Sequence, residues 1–302
     1  MNTLTQVRTE EFDAFGPWVL PVRTPDEVPP LFRAAADLTA VRLALKIPRP
    51  IERRNANPAM DLYDRLILVR DSGVEVISRA PQGPSGWKTR WLEAGDLLAV
   101  ETSTALLDGQ FRLHVTGGDC LDLPYNGVSA DVMDSLSDAI RAFWRPSGEP
   151  LGNTSEHLAL LRDDDLDQED VGLINHLRKL CSRDPALRPL LLRRRSRATR
   201  SSDDNFLIRA WYKFRPRDLQ AAILATTESE LVVVHRRGWL TPKYLPVYSL
   251  ATTVVPPAKG IQVEARDDPH WLGVRELRLA PTAITLLATP NDGVEKTINS
   301  LL

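Results

Sequence analysis

The chain repeats one order of elements, and that repetition limits what it can fold into. Residues 62–144 and 219–302 each read as short β segments followed by one C-terminal amphipathic helix. In the first half Leu66-Ile67-Leu68-Val69 leads through Asp71-Ser72-Gly73 into Val74-Glu75-Val76-Ile77. In the second half Ala222-Ile223-Leu224 leads through Thr226–Ser229 into Leu231-Val232-Val233-Val234. Short apolar runs bounded by turn residues are the signature of hairpins. The closing helices are expected at Ser129–Trp144 and Asp292–Leu302, with Val132, Leu136, Ile140 and Phe143 on one face of the first and Val294, Ile298 and Leu301 on one face of the second.

Local signals refine the pattern. Phe111, Leu113 and Val115 alternate with Arg112 and His114, as in a half-buried strand, and Gly117-Gly118-Asp119 has the residue types of a hairpin turn. Ser129 is placed to cap the first helix, and Asp292 with Glu295 to form a capping box on the second. Phe12, Phe15, Trp18, Val19 and Leu20 form a cluster too apolar to leave in water, so it is expected to pack on the first domain. Over Leu31–Leu45 the apolar residues fit both a helical and an alternating period, and the assignment stays open. Val171, Ile174, Leu177 and Cys181 predict a short helix in the connector. The second β region is expected to begin near Phe206 or Leu219.

These runs of hairpins closed by one amphipathic helix resemble the pleckstrin-homology-like (PH-like) fold, over roughly residues 40–145 and 206–302. The entry segment Lys46–Asn55, with Met60-Asp61-Leu62-Tyr63-Asp64 after it, resembles that of bacterial tandem PH-like domain proteins. The resemblance implies a mainly β chain with α elements. Two PH-like, partly open β-barrels, each closed by a C-terminal helix, would span 12–145 (with an N-terminal extension) and 206–302. A charged, partly helical connector would occupy 146–205. It also implies a binding module that docks a protein or peptide, with no cofactor. Lipid-binding relatives hold phosphates with basic residues around the first hairpin. The nearest candidates here are Lys46, Arg49, Arg53 and Arg54, although Pro48 and Pro50 interrupt the usual pattern.

Those four cations suit an anion, since arginine forks match phosphate and carboxylate. They equally suit a charged strand edge that resists edge-to-edge pairing. Arg193–Arg197 reads as an exposed linker run balancing the acids of Asp163–Asp170, with contact to anionic lipid or nucleic acid as the alternative. The acid run lacks the ligand spacing of an EF-hand and reads as a solvated helix start. Trp87, Trp91, Trp239 and Trp271 either seal the barrel ends or anchor a partner.

Several chemistries find no support. The histidines 114, 157, 176, 235 and 270 form no pair at metal-ligand spacing, and His114 and His235 read as surface or satisfied strand residues. No GxSxG, GxGxxG or GxxxxGK[ST] segment exists. The formal net charge of −2 gives no global pull toward nucleic acid, and none is expected as a partner. Cys120 and Cys181 make no disulfide framework, and the N-terminus lacks a signal peptide, so a cytoplasmic place is expected. The function that follows is a non-catalytic adaptor for a protein or peptide. Peripheral binding to an anionic membrane through Lys46, Arg49, Arg53 and Arg54 is the first alternative, and an enzyme with a site assembled in space is the second.

Overall fold

The structure is a computed structural model and describes residues 9–145, 168–201, 206–243 and 247–302. The chain is mainly β and forms two compact units. The first holds the described residues up to Leu97 together with Leu107–Phe111 and Leu123–Phe143. The second holds Leu98–Leu106, Arg112–Asp122 and the described residues from Trp144 to Leu302. Among the described residues no sheet closes into a barrel, and no helix is long and apolar enough to cross a membrane.

The first unit opens on helix α1 (Glu10–Ala14), whose start is capped by Thr9 Oγ1 accepting the Phe12 N–H at 3.1 Å. Its sheet is an antiparallel meander in chain order: β1 (Leu20–Pro21), β2 (Val41–Pro48), β3 (Tyr63–Arg70), β4 (Gly73–Arg79) and β5 (Trp87–Glu93). The open choice over Leu31–Leu45 resolves against a continuous helix. Pro30–Phe32 forms one 3-10 turn, and strand β2 begins at Val41. Phe15, Phe32, Leu62, Tyr63, Leu66 and Ile77 form the core with Phe12 at its edge, and Val19 is buried, whereas Trp18 of the N-terminal cluster stays exposed. Helix α2 (Ala130–Arg141) buries Met133, Leu136 and Ile140, as its 3.6-residue period predicts. Ser129 sits at its N-cap position but does not cap it; its Oγ accepts the Val19 N–H at 2.8 Å instead.

The second unit is built on a seven-stranded sheet. Its strands are β6 (Leu97–Ala105), β7 (Asp108–Val115), β8 (Cys120–Asn126), β9 (Arg188–Arg193), β12 (Ala222–Thr226), β13 (Leu231–His235) and β15 (Ser249–Val255), in the order β8-β7-β6-β15-β13-β12-β9. The border with the first unit falls inside β7 and β8. β6 pairs antiparallel with β15, from Val100↔Val254 to Ala105↔Ser249. A smaller sheet orders β14 (Leu240–Pro242), β11 (Arg217–Leu219), β10 (Ser196–Arg200) and β17 (Trp271–Leu272); another orders β16 (Gln262–Asp267), β18 (Arg275–Ala280) and β19 (Thr285–Ala288). Leu231–Val234 is apolar at every position because both faces are covered. Val232 and Val234 meet helix α3 (Val171–Arg183), while Leu231 and Val233 meet β18, β19 and the last helix.

Of the two starts expected for the second β region, the segment from Phe206 is helix α4 (Phe206–Phe214) and Leu219 falls in β11, while β9 and β10 precede both. Three further expectations need correction. The basic run Arg193–Arg197 is exposed only in part: Arg194 and Arg197 face solvent, but Arg193 and Arg195 turn inward. Arg193 ends β9 as a buried residue, donating to the Leu287 and Gln220 carbonyls under the Trp239 ring, and Arg195 binds Asp170. Asp170 is fully buried rather than a solvated helix start, while 163–167 lie outside the described residues. Asp292 forms no capping box at helix α5 (Val294–Leu301). Its carboxylate accepts from the Val294 and Thr289 N–H groups, and Glu295 pairs with Arg275. Leu301 and Leu302, both partly buried, pack against the core.

Candidate functional site

The four cations singled out in the sequence belong to the first unit, but they do not converge. Lys46 lies in the middle of β2, and its side chain is buried. Its Nζ donates to the Glu27 carbonyl at 2.9 Å and lies 4.9 Å from the centre of the Tyr63 ring. Pro48 ends β2 and, with Pro50, redirects the chain. Arg49 donates to the Asp61 carbonyl at 3.0 Å and lies 3.8 Å from Asp64. Arg53 binds the Phe15 carbonyl and covers the Phe12 ring at 4.5 Å. Exposed Arg54 pairs with Glu52. Each cation is held by its own neighbours, so no shared phosphate cradle is formed.

Lys46 borders one concavity and Arg49 and Arg53 border another, while Arg54 lines neither. The first, about 870 Å³, is lined in part by Glu11, Lys46 and Tyr63. Burial shifts all three. It pushes the Glu11 carboxyl up, partly offset by Lys46 and Arg33. It pulls Lys46 down against the attraction of Glu11 and Glu27. It lifts the Tyr63 hydroxyl to about 12, with Glu11 adding to the effect. Tyr63 Oη and Glu11 Oε1 are buried without a hydrogen-bond partner.

The second concavity is a cleft of about 690 Å³. Pro17, Pro48, Pro50 and Pro124 line it together with Ile51 and Tyr125. Proline has no N–H, so these walls offer apolar shape in place of a strand edge. Glycine sets the wall, because a Cβ on Gly109 would come within 2.4 Å of the Tyr125 ring. Beside the cleft, Trp18 (43% exposed), Leu107 (62%) and Val128 (69%) present large apolar side chains to solvent. Backbone ties keep them near one another: Gly127 N–H donates to the Leu107 carbonyl at 2.8 Å, and Val19 N–H is fixed on Ser129. The charges at this cleft are largely satisfied. Asp64 is shared by Arg49 and by Arg79, the latter at 2.9 Å, and Arg53 is spent on Phe15. The cleft can therefore take up apolar groups without breaking a strong ionic preference.

The second unit contains a buried polar chain. His114 Nε2 lies 2.7 Å from Glu101 Oε2, Thr253 Oγ1 lies 3.4 Å from Glu101 Oε1, and His235 Nε2 lies 3.0 Å from Thr253 Oγ1. The other ring nitrogen of His235 faces the Arg236 carbonyl at 2.7 Å, and a carbonyl only accepts, so Nδ1 carries the hydrogen. His235 stacks on Trp239 at 4.6 Å. Burial pushes its pKa down and favours the neutral ring. For Glu101, burial acts upward, but the hydrogen bond and charge of His114 prevail and hold it below its usual range. Both histidines are thus satisfied strand residues, though interior rather than on the surface. Among the described residues no group of three His, Cys, Asp or Glu side chains is placed to hold a metal ion.

Trp271 is buried, Trp87 and Trp239 are half-buried, and Trp91 is partly exposed. Sequence reasoning passed over the apolar cleft because its prolines read as loop punctuation. The clue available was the concentration of proline and isoleucine over 47–51 next to an aromatic-rich N-terminus. Comparison with protein-family models, curated proteins and solved structures returns no match for this chain.

Proposed function

We propose that this chain is a non-catalytic docking protein built from two PH-like modules, and that the cleft of its first unit receives an extended apolar peptide of a partner protein. The chain order of the main strands supports the PH-like reading. With β10, α4, β11, β14 and β17 set aside, β2–β5, then β6–β8, then α2 is echoed by β9, β12, β13 and β15, then β16, β18 and β19, then α5, although β6 and parts of β7 and β8 belong to the second compact unit. The observation that carries the docking role is the proline-lined cleft flanked by exposed Trp18, Leu107 and Val128. Exposed apolar groups gathered at a concavity mark binding surfaces more often than scattered ones do. Both cysteines are free, which fits a reducing, cytoplasmic place.

The test is selection of binders from a random peptide library, followed by calorimetry on the selected sequences. Leu107→Asp and Val128→Asp alter exposed positions and leave the core intact. Each is expected to weaken a selected apolar peptide about tenfold or more, the worth of one well-buried apolar contact. Selection of no peptide, or wild-type affinity in both variants, would refute the cleft. A second reading, a small-molecule site at Glu11, Lys46 and Tyr63, is favoured by the two orphaned oxygens there. It requires a ligand that raises the melting temperature of wild type but not of Tyr63→Phe.

A further inference from the structure

Helix α4 leaves a row of large apolar side chains in solvent. Leu207, Trp211 and Phe214 recur at i, i+4 and i+7, and so fall on one stripe. They are 72%, 56% and 81% exposed. The helix is fixed to its unit from another side. Tyr212 meets the Trp271 ring edge-on at 5.3 Å and joins the small core of Ala198, Leu219 and Val274. The stripe is therefore held outward by packing that does not use it.

Charge sorts the occupants of such a face. Residues 206–217 contain four cations, Arg209, Lys213, Arg215 and Arg217, and no acid, in a chain whose net charge is −2. The exposed Arg215 guanidinium lies 4.7 Å from the Trp211 ring centre, beside the stripe. A surface that is apolar beneath and continuously anionic above complements this combination. At an interfacial helix the apolar face enters the acyl boundary, tryptophan rests at headgroup level and cations meet lipid phosphates.

We propose that α4 is a membrane-interface anchor that lays Leu207, Trp211 and Phe214 into an anionic lipid bilayer, with Arg215 at the phosphate level. This goes beyond peptide docking and does not rest on it. It also differs from lipid binding through Lys46, Arg49, Arg53 and Arg54, which lie in the first unit.

The experiment is co-sedimentation of the full chain with phosphatidylcholine vesicles, with and without phosphatidylglycerol, at low and high salt. Wild type is expected to bind only the anionic vesicles, less so as salt rises. Trp211→Ala/Phe214→Ala is expected to lose about tenfold or more in partitioning, in line with the apolar area removed, with an unchanged far-UV spectrum and melting temperature. Arg215→Glu is expected to weaken binding, and Arg54→Glu, at an exposed side chain of the first unit, to leave it intact. Absence of binding to the anionic vesicles overturns the proposal. So does full binding by the Trp211→Ala/Phe214→Ala variant, or loss of binding in Arg54→Glu while Arg215→Glu binds as wild type. Concentration-dependent dimerisation that the double variant abolishes, without vesicle binding, would assign the stripe to a second copy of the chain.

Discussion

Replacing Asp170 by alanine tests the ionic interior of the second unit. Its carboxylate is fully buried and accepts from Arg195 Nε at 3.1 Å, Arg195 Nη2 at 2.9 Å and Arg236 Nη2 at 3.3 Å. The side chains of Arg195 and Arg236 are only 11% and 4% exposed. The substitution removes the buried carboxylate that these two guanidiniums share. Breaking a buried pair from one side costs about 3–5 kcal/mol. Asp170 also precedes α3, which buries Leu173, Ile174 and Leu177 against β12, β13 and β15, so the loss acts on a whole packed layer. For a unit of this size each kcal/mol moves the melting temperature by about 2–4 °C, giving a fall of roughly 6–20 °C. Thermal unfolding followed by far-UV circular dichroism reads it directly. Asp170→Leu/Arg195→Met/Arg236→Met, which removes all three charges, is expected to recover most of the loss, because apolar replacement of a buried ionic group is often neutral or better. A fall of under about 1 kcal/mol for Asp170→Ala, within the range of an ordinary surface pair, would refute the reasoning, as would a triple variant no more stable than the single one.

Tyr63→Phe removes a buried hydroxyl that has no partner, so it is expected to raise stability by about 1 kcal/mol in urea unfolding, where an ordinary buried tyrosine would lose that much. Stability is also expected to decline as pH falls from 7 toward 4. His235 has its pKa depressed from 6.5 by burial, so below about that pH the unfolded chain takes up the proton first. Glu101, held below 4.5 chiefly by His114 against the opposing effect of burial, extends the decline to lower pH. His235→Gln is expected to flatten the upper part of that curve, and a rise in wild-type stability between pH 6.5 and 5 would contradict the sign.

Legibility followed sequence range. The hairpins β3–β4 and β12–β13 and the turn at Gly117-Gly118 could be read because period-two patterning and turn residues are local. The α2 and α5 stripes were legible for the same reason. Arg193 was not, because a run of arginines carries no mark saying which member points inward. The Leu287 and Gln220 carbonyls that receive it are distant in the chain. Phe206–Phe214 misled because its aromatic residues are shared with strands, even though Asp204 and Asn205 before it are residue types that start helices. The four cations of Lys46–Arg54 were legible as charges, but their partners were not. Burial of Lys46 on β2 and the capture of Arg53 by Phe15 follow from tertiary packing alone.

The pairing of β6 with β15 has a consequence for the order of synthesis. The ribosome completes Val100–Ala105 long before Ser249–Val254 exists, so the growing chain carries an unpaired strand edge while the intervening residues are made. An open edge of this kind templates pairing with other chains, and non-local sheets pay loop closure before they gain contacts. The nascent protein is therefore most exposed to wrong partners, including sister copies on the same message, until its last third emerges. A gene truncated before β15 would yield a product that keeps this edge permanently open and is prone to aggregation.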